Sequence, residues 1–133
     1  MSTWRRLAIK LFPESRRLIE DSKFTFSIYQ LFFDLLPIAH EAHIKQDWNT
    51  LDRIYQYAEW CWMQNRAPDI QNAVAVAFYE HLVDTAASKR DIPKYIKPWI
   101  FKDIRMLFDQ RMSDKEYQDL LNQYNRANGT HFT

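Results

Sequence analysis

Apolar residues recur at spacings of three and four along almost the whole chain, the signature of amphipathic helices. Six helical segments are predicted. The first runs from about Trp4 to Glu20, with Pro13 splitting it into two short pieces. The second runs from about Phe24 to Lys45 on a stripe of Phe24, Ile28, Leu31, Leu35, Ile38 and Ala42. Phe32, Phe33 and Leu36 widen that stripe and Pro37 kinks the helix. Asp47 or Asn49 caps a third helix to about Gln64, with Leu51, Ile54, Tyr55, Ala58, Cys61 and Trp62 facing inwards. Asp69 caps a fourth, to about Ala87, which is apolar nearly all round and is therefore expected at the centre. A fifth follows Asp91 and Pro93, restarts at Pro98 and ends near Met112, burying Ile96, Ile100, Ile104, Leu107 and Phe108. The sixth opens on the capping box Ser113–Glu116, carries the stripe Tyr117, Leu120, Leu121 and Tyr124, and stops at Gly129. Short connections predict successive helices packed as antiparallel hairpins, in a bundle or a short HEAT-like stack. The expected fold is all-α, a single domain over residues 1–133.

Composition narrows this picture. One Gly among 133 residues leaves no Gly-rich phosphate loop and few positive-φ turns for a β-rich fold. A single cysteine, Cys61, excludes an intrachain disulfide and a thiolate zinc site. The longest uninterrupted apolar run, Ala73–Tyr79, is far short of the ~20 residues that span a bilayer. Lys10 breaks the only apolar stretch near the start, so no secretory signal is read and a cytoplasmic location is expected.

Charge is unevenly spread beneath a net value of +1. Residues 1–23 carry six basic and three acidic side chains, residues 24–88 three and eight, and residues 89–133 nine and six. The acidic middle has two readings: neutralisation by the basic ends within the fold, or a docking face for a basic partner. Basic clusters at Arg5, Arg6, Lys10, Arg16 and Arg17 and at Lys89, Arg90, Lys94, Lys97 and Lys102 accompany a pI of only 7.9, and no nucleic-acid partner is expected.

Two constellations have the residue types for chemistry. His40 and His43 share a helix flank at i, i+3, a spacing able to share a metal but not that of a metalloprotease or a carboxylate-bridged di-iron bundle. Glu80, His81 and Asp84 offer paired carboxylates beside a histidine, either for acid–base work or as the wet stripe of an otherwise apolar helix. No metal, cofactor or catalytic residue is assigned. Cys61 lies in line with Leu51, Ile54 and Ala58 and reads as a buried, inert thiol.

The aromatics carry the sharper expectation. Trp60 lies opposite Leu51 on the third helix, flanked by Tyr57 and Met63. Either another helix of the chain covers this second apolar face or a partner does, with Asp52 and Glu59 as an acidic rim. The candidate partner-binding residues are Asp52, Tyr57, Glu59, Trp60, Met63, Glu80, His81 and Asp84.

Three stretches carry a family likeness: Leu11-Phe12-Pro13-Glu14; Asp47 with Leu51, Arg53-Ile54 and Ala58-Glu59-Trp60; and the run from Asp69 to Leu82. Over roughly residues 7–110 the chain resembles a family of small, all-helical bacterial domains without assigned enzymatic activity, many of whose relatives look like immunity proteins of toxin systems. The resemblance implies a non-enzymatic protein that binds and neutralises a cognate toxin acting in the cytoplasm, such as a nuclease or nucleotide-modifying enzyme. It carries over no catalytic residue. A helical adaptor, or a metal-binding enzyme using His40 and His43 or the Glu80 stripe, is the alternative.

Overall fold

The computed structural model describes residues 1–20 and 27–133, all helix and connection. Among the described residues, eight α-helices and two short 3-10 segments stand where six helices are expected: the first segment divides at Pro13, the fifth before Pro98, and the fourth gives way to a 3-10 segment. Helix α1 (Thr3–Leu11) ends where Pro13 begins a 3-10 turn, Pro13–Ser15, and α2 (Arg16–Glu20) follows. The predicted start of the second helix at Phe24 lies outside the described residues. Helix α3 (Ile28–Lys45) begins on Ser27, whose hydroxyl accepts from the Gln30 amide, and ends on Gln46 in the left-handed region. Its buried stripe is Ile28, Leu31, Phe32, Leu35, Ala39, Ala42 and His43. Ile38 stands outside it and is exposed, a correction of one position in the helical wheel.

Helix α4 (Trp48–Trp62) is capped by Asp47, which accepts from the Thr50 amide. The family-like stretches meet here: Arg53 donates to the Leu11 carbonyl at 2.9 Å and to Glu14 at 3.0 Å, pinning the Pro13 corner to α4. The expected fourth helix stops early. Helix α5 (Pro68–Ala77) ends at Phe78, and a 3-10 segment, Tyr79–Val83, takes over. No Gly or Pro marks this break. Phe78, Tyr79 and Leu82 are all fully or almost fully buried, and tightening the backbone turns all three into the core.

Thr85 then caps α6 (Ala86–Tyr95) through the Ser88 amide. Asp91 and Pro93 therefore lie inside a helix rather than before one, and Asp91 is buried. Helix α7 (Pro98–Asp109) and α8 (Asp114–Asn128) follow the prediction closely, with both arms of the Ser113–Glu116 capping box formed and Gly129 at φ 65°. Beyond α8, the Asn125 amide brackets the Phe132 backbone, accepting from its N–H at 2.9 Å and donating to its carbonyl at 2.8 Å. Phe132 thereby joins Phe101 and Tyr124 in one aromatic cluster. The buried apolar residues form one core, with α3, α4 and α5 packed on one another. No helix among the described residues is long and apolar enough to cross a membrane.

Candidate functional site

Helix α4 presents one face to the core through Leu51, Ile54, Tyr55, Ala58 and Cys61. Its opposite face divides in two. Tyr57 is fully buried: its hydroxyl donates to the Trp4 carbonyl at 3.0 Å, and its ring takes the edge of Phe12 at 5.7 Å. Helix α1 thus covers this part, and Tyr57 is not available as an exposed anchor. Trp60 stacks on the far side of Tyr57 at 6.2 Å and is only partly buried, while Met63 is 55 % exposed.

Trp60 and Met63 border a groove of about 410 Å³ between α4 and the junction of α6 with α7. Asp52, Gln56 and Glu59 line the α4 wall; Lys94, Tyr95 and Lys97 line the other. Two contacts bridge the walls: the Tyr95 hydroxyl donates to Asp52 at 3.3 Å, and the Lys97 ammonium meets Glu59 at 2.7 Å. Lys94, on that second wall, lies 3.6 Å above the Trp48 ring in a cation–π contact. On the far side of Met63 a second hollow of about 310 Å³ is lined by Trp62, Asn65, Trp99, Lys102 and Asp103. Trp99 is 40 % exposed. The two hollows share Met63 and form one surface of three tryptophans and a methionine. Sequence reasoning placed Trp60, Met63, Asp52 and Glu59 here but missed Trp99 and Tyr95. Trp99 falls outside the buried Ile96, Ile100 and Ile104 positions, and that mismatch was the available signal.

Two carboxylates of the acidic middle are met from the basic end of the chain: Lys97 pairs with Glu59, and Arg111 donates twice to Asp84, at 2.7 and 3.0 Å. Both charges belong to the candidate set, so it does not present a bare acidic face.

Glu80, His81 and Asp84 sit apart from the groove, on the 3-10 segment and the residue after it. Tighter winding sets His81 over Asp84 rather than Glu80 over Asp84. The His81 Nδ1 is 2.8 Å from Asp84, and its Nε2 is 3.6 Å from Glu80. Burial pushes the Asp84 carboxyl up, but Arg111 and His81 together hold it below the usual carboxylate range.

His40 and His43 do not act as a pair. His40 faces Thr85, 3.3 Å from its hydroxyl. His43 is fully buried with both ring nitrogens engaged: Nδ1 at 2.8 Å from Asp91 and Nε2 at 2.7 Å from the Tyr55 hydroxyl. Arg90 donates to Asp91 twice, at 2.9 Å each, and to the His43 carbonyl at 3.0 Å. An ionised carboxylate only accepts, so Nδ1 carries the imidazole proton and Tyr55 donates to Nε2. Burial lowers the His43 pKa from its ordinary value despite the aspartate. Among the described residues no group of three or more His, Cys, Asp or Glu side chains is placed to hold a metal ion. Burial pushes the Cys61 thiol up to about 12, leaving it without thiolate character near neutrality.

Comparison with curated proteins and with solved structures returns no match. A family model does match residues 5–114, which takes in everything from α1 to the start of α8. The chain belongs to the family described as a domain of unknown function, DUF7674.

Proposed function

We propose that this protein is a non-enzymatic binding protein of the immunity type, which docks on a cognate bacterial toxin acting in the cytoplasm and neutralises it. The observation that carries the reading is the surface shared by Trp60, Trp62, Met63 and Trp99. Trp and Met are enriched where interfaces are fully desolvated, and anchors of this kind dominate binding energy. Lys97 and Glu59 at its border are paired with each other, so the partner it suits is an apolar, shape-complementary protein face rather than a nucleic-acid backbone. Each histidine and carboxylate considered for chemistry has a structural partner, which supports a scaffold role.

The test is affinity capture from the native host with wild-type and variant baits. A stoichiometric partner, encoded beside this protein and toxic when expressed alone, is expected with the wild type. Met63→Glu and Trp60→Ala are expected to lose it while keeping the wild-type circular dichroism. Loss with Glu80→Lys and retention with Met63→Glu would move the interface to the 3-10 segment. A host that makes the neighbouring toxin yet yields no complex would refute the reading.

A further inference from the structure

Two large apolar side chains outside the tryptophan surface stand in water: Phe33 is 52 % and Ile44 66 % exposed. Both belong to α3, where Pro37 and His40 complete a line between them. The steps along that line are four, three and four residues, the alternation of a coiled-coil seam. At about 100° per residue, the four positions fall within an arc of about 60°. Pro37 is exposed; His40 and the neighbouring Leu36 are half-buried. We propose that this seam pairs with the same seam of a second copy of the chain, antiparallel about a two-fold axis, in a weak and reversible homodimer.

The symmetry of the spacing names the occupant. A line stepped four, three, four reads the same from either end. A copy turned end for end therefore lays Phe33 on Ile44 and Pro37 on His40, with each pairing made twice. Such self-complementarity is what an isologous interface requires. Charges beside the seam set the direction. Asp34, Glu41 and Lys45 share one flank of α3, and Lys45 lies 2.8 Å from Glu41. In the antiparallel register Asp34 of one copy falls opposite the Glu41–Lys45 ion pair of the other, within reach of its ammonium. A parallel register would set Asp34 on Asp34 and Glu41 on Glu41, like charge against like.

The size of the contact sets its strength. Residues 32–45 of the two helices overlap in this register, a strip about 21 Å long. So short a strip lies at the low end of specific interfaces, and the dimer forms only in concentrated solution. No seam residue borders the groove or the second hollow, so the pairing is independent of the binding proposal.

The experiment is sedimentation velocity on the unaltered chain from about 10 µM to about 1 mM, joined to NMR on a mixture of labelled and unlabelled protein. The mass is expected to climb from 16.2 kDa towards twice that value. Phe33 and Ile44 stand about 16 Å apart along one helix, so an Overhauser contact between ring and methyl arises only between copies. That contact is expected in the concentrated sample. Phe33→Glu and Ile44→Glu should each stay monomeric at the highest concentration with wild-type circular dichroism, and Met63→Glu should dimerise as the wild type does. A mass of 16.2 kDa throughout overturns the proposal. So does a dimer that survives both seam variants, one lost with Met63→Glu, or a Phe33–Phe33 contact, the mark of a parallel pair. Should a seam variant not fold, the concentration series and the intermolecular contact decide.

Discussion

The same contact occurs twice in this protein, with opposite consequences. Nδ1 of His43 lies 2.8 Å from Asp91, and Nδ1 of His81 lies 2.8 Å from Asp84. The first joins residues 48 positions apart in the core; the second joins residues three apart, about a quarter and a third exposed. In the core pair the remaining polar atoms are also engaged, His43 Nε2 by Tyr55 of α4 and the second Asp91 oxygen by Arg90 of its own helix, so removing one member strands the rest. In the surface pair, water stands ready to replace either partner. Geometry alone does not tell a structural keystone from a surface decoration; burial and sequence span do.

Breaking the buried pair is expected to have the largest effect. Asp91→Ala leaves the buried Nδ1–H of the neutral His43 without an acceptor and should cost about 3 kcal/mol in urea unfolding, the upper end of the range for stranding a buried polar group. A loss below about 1 kcal/mol would place Asp91 with the surface aspartate. Tyr55→Phe removes only the donor to Nε2 and should cost about 1–3 kcal/mol by the same measurement.

Acid sharpens the contrast without mutation. The folded state holds His43 below its ordinary pKa, so below about 6.5 the unfolded chain binds a proton that the folded chain refuses. Stability therefore falls as pH drops through that value, and continues to fall until the lower folded value is reached. Asp91, also held low by Arg90 and His43 against its own burial, adds a second loss below about 3.9. Thermal midpoints across pH 4–8 should show the first loss in wild type and a smaller one in His43→Gln, which keeps only the part due to His40, also held below its ordinary value by burial. The smallest effect is expected from Asp84→Asn, at most about 1 kcal/mol, because its partners are partly exposed.

These two pairs also mark what the amino-acid sequence makes legible. Features written within a few residues were readable: the Asp47 cap, the Ser113–Glu116 box, the stop at Gly129 and the break at Pro13. The fourth helix was overextended because nothing local marks Phe78; the break is imposed by three large side chains that must enter one core. Asp91 and Pro93 read as the lead-in to a helix, whereas Thr85, six residues before Asp91, caps one that contains them both. The candidate surface was half legible. Trp60 and Met63 betray themselves on a helical wheel, whereas Tyr57 looks identical there and is covered by α1, and Trp99 reaches the same surface from α7. Periodicity says which faces are apolar, but only the packing of other helices says which of them stay bare.

The buried Cys61 makes this molecule its own clock. It is the chain's one thiol, wholly enclosed against the α4 core, with its ionisation pushed up to about 12. A thiol reagent has nothing to attack until that core parts, so modification proceeds only through openings of the native, unmutated protein, and it counts each opening once the reagent is concentrated enough for the rate to level off. Labelling in that regime times the parting of the α4 core without a dye or a second cysteine.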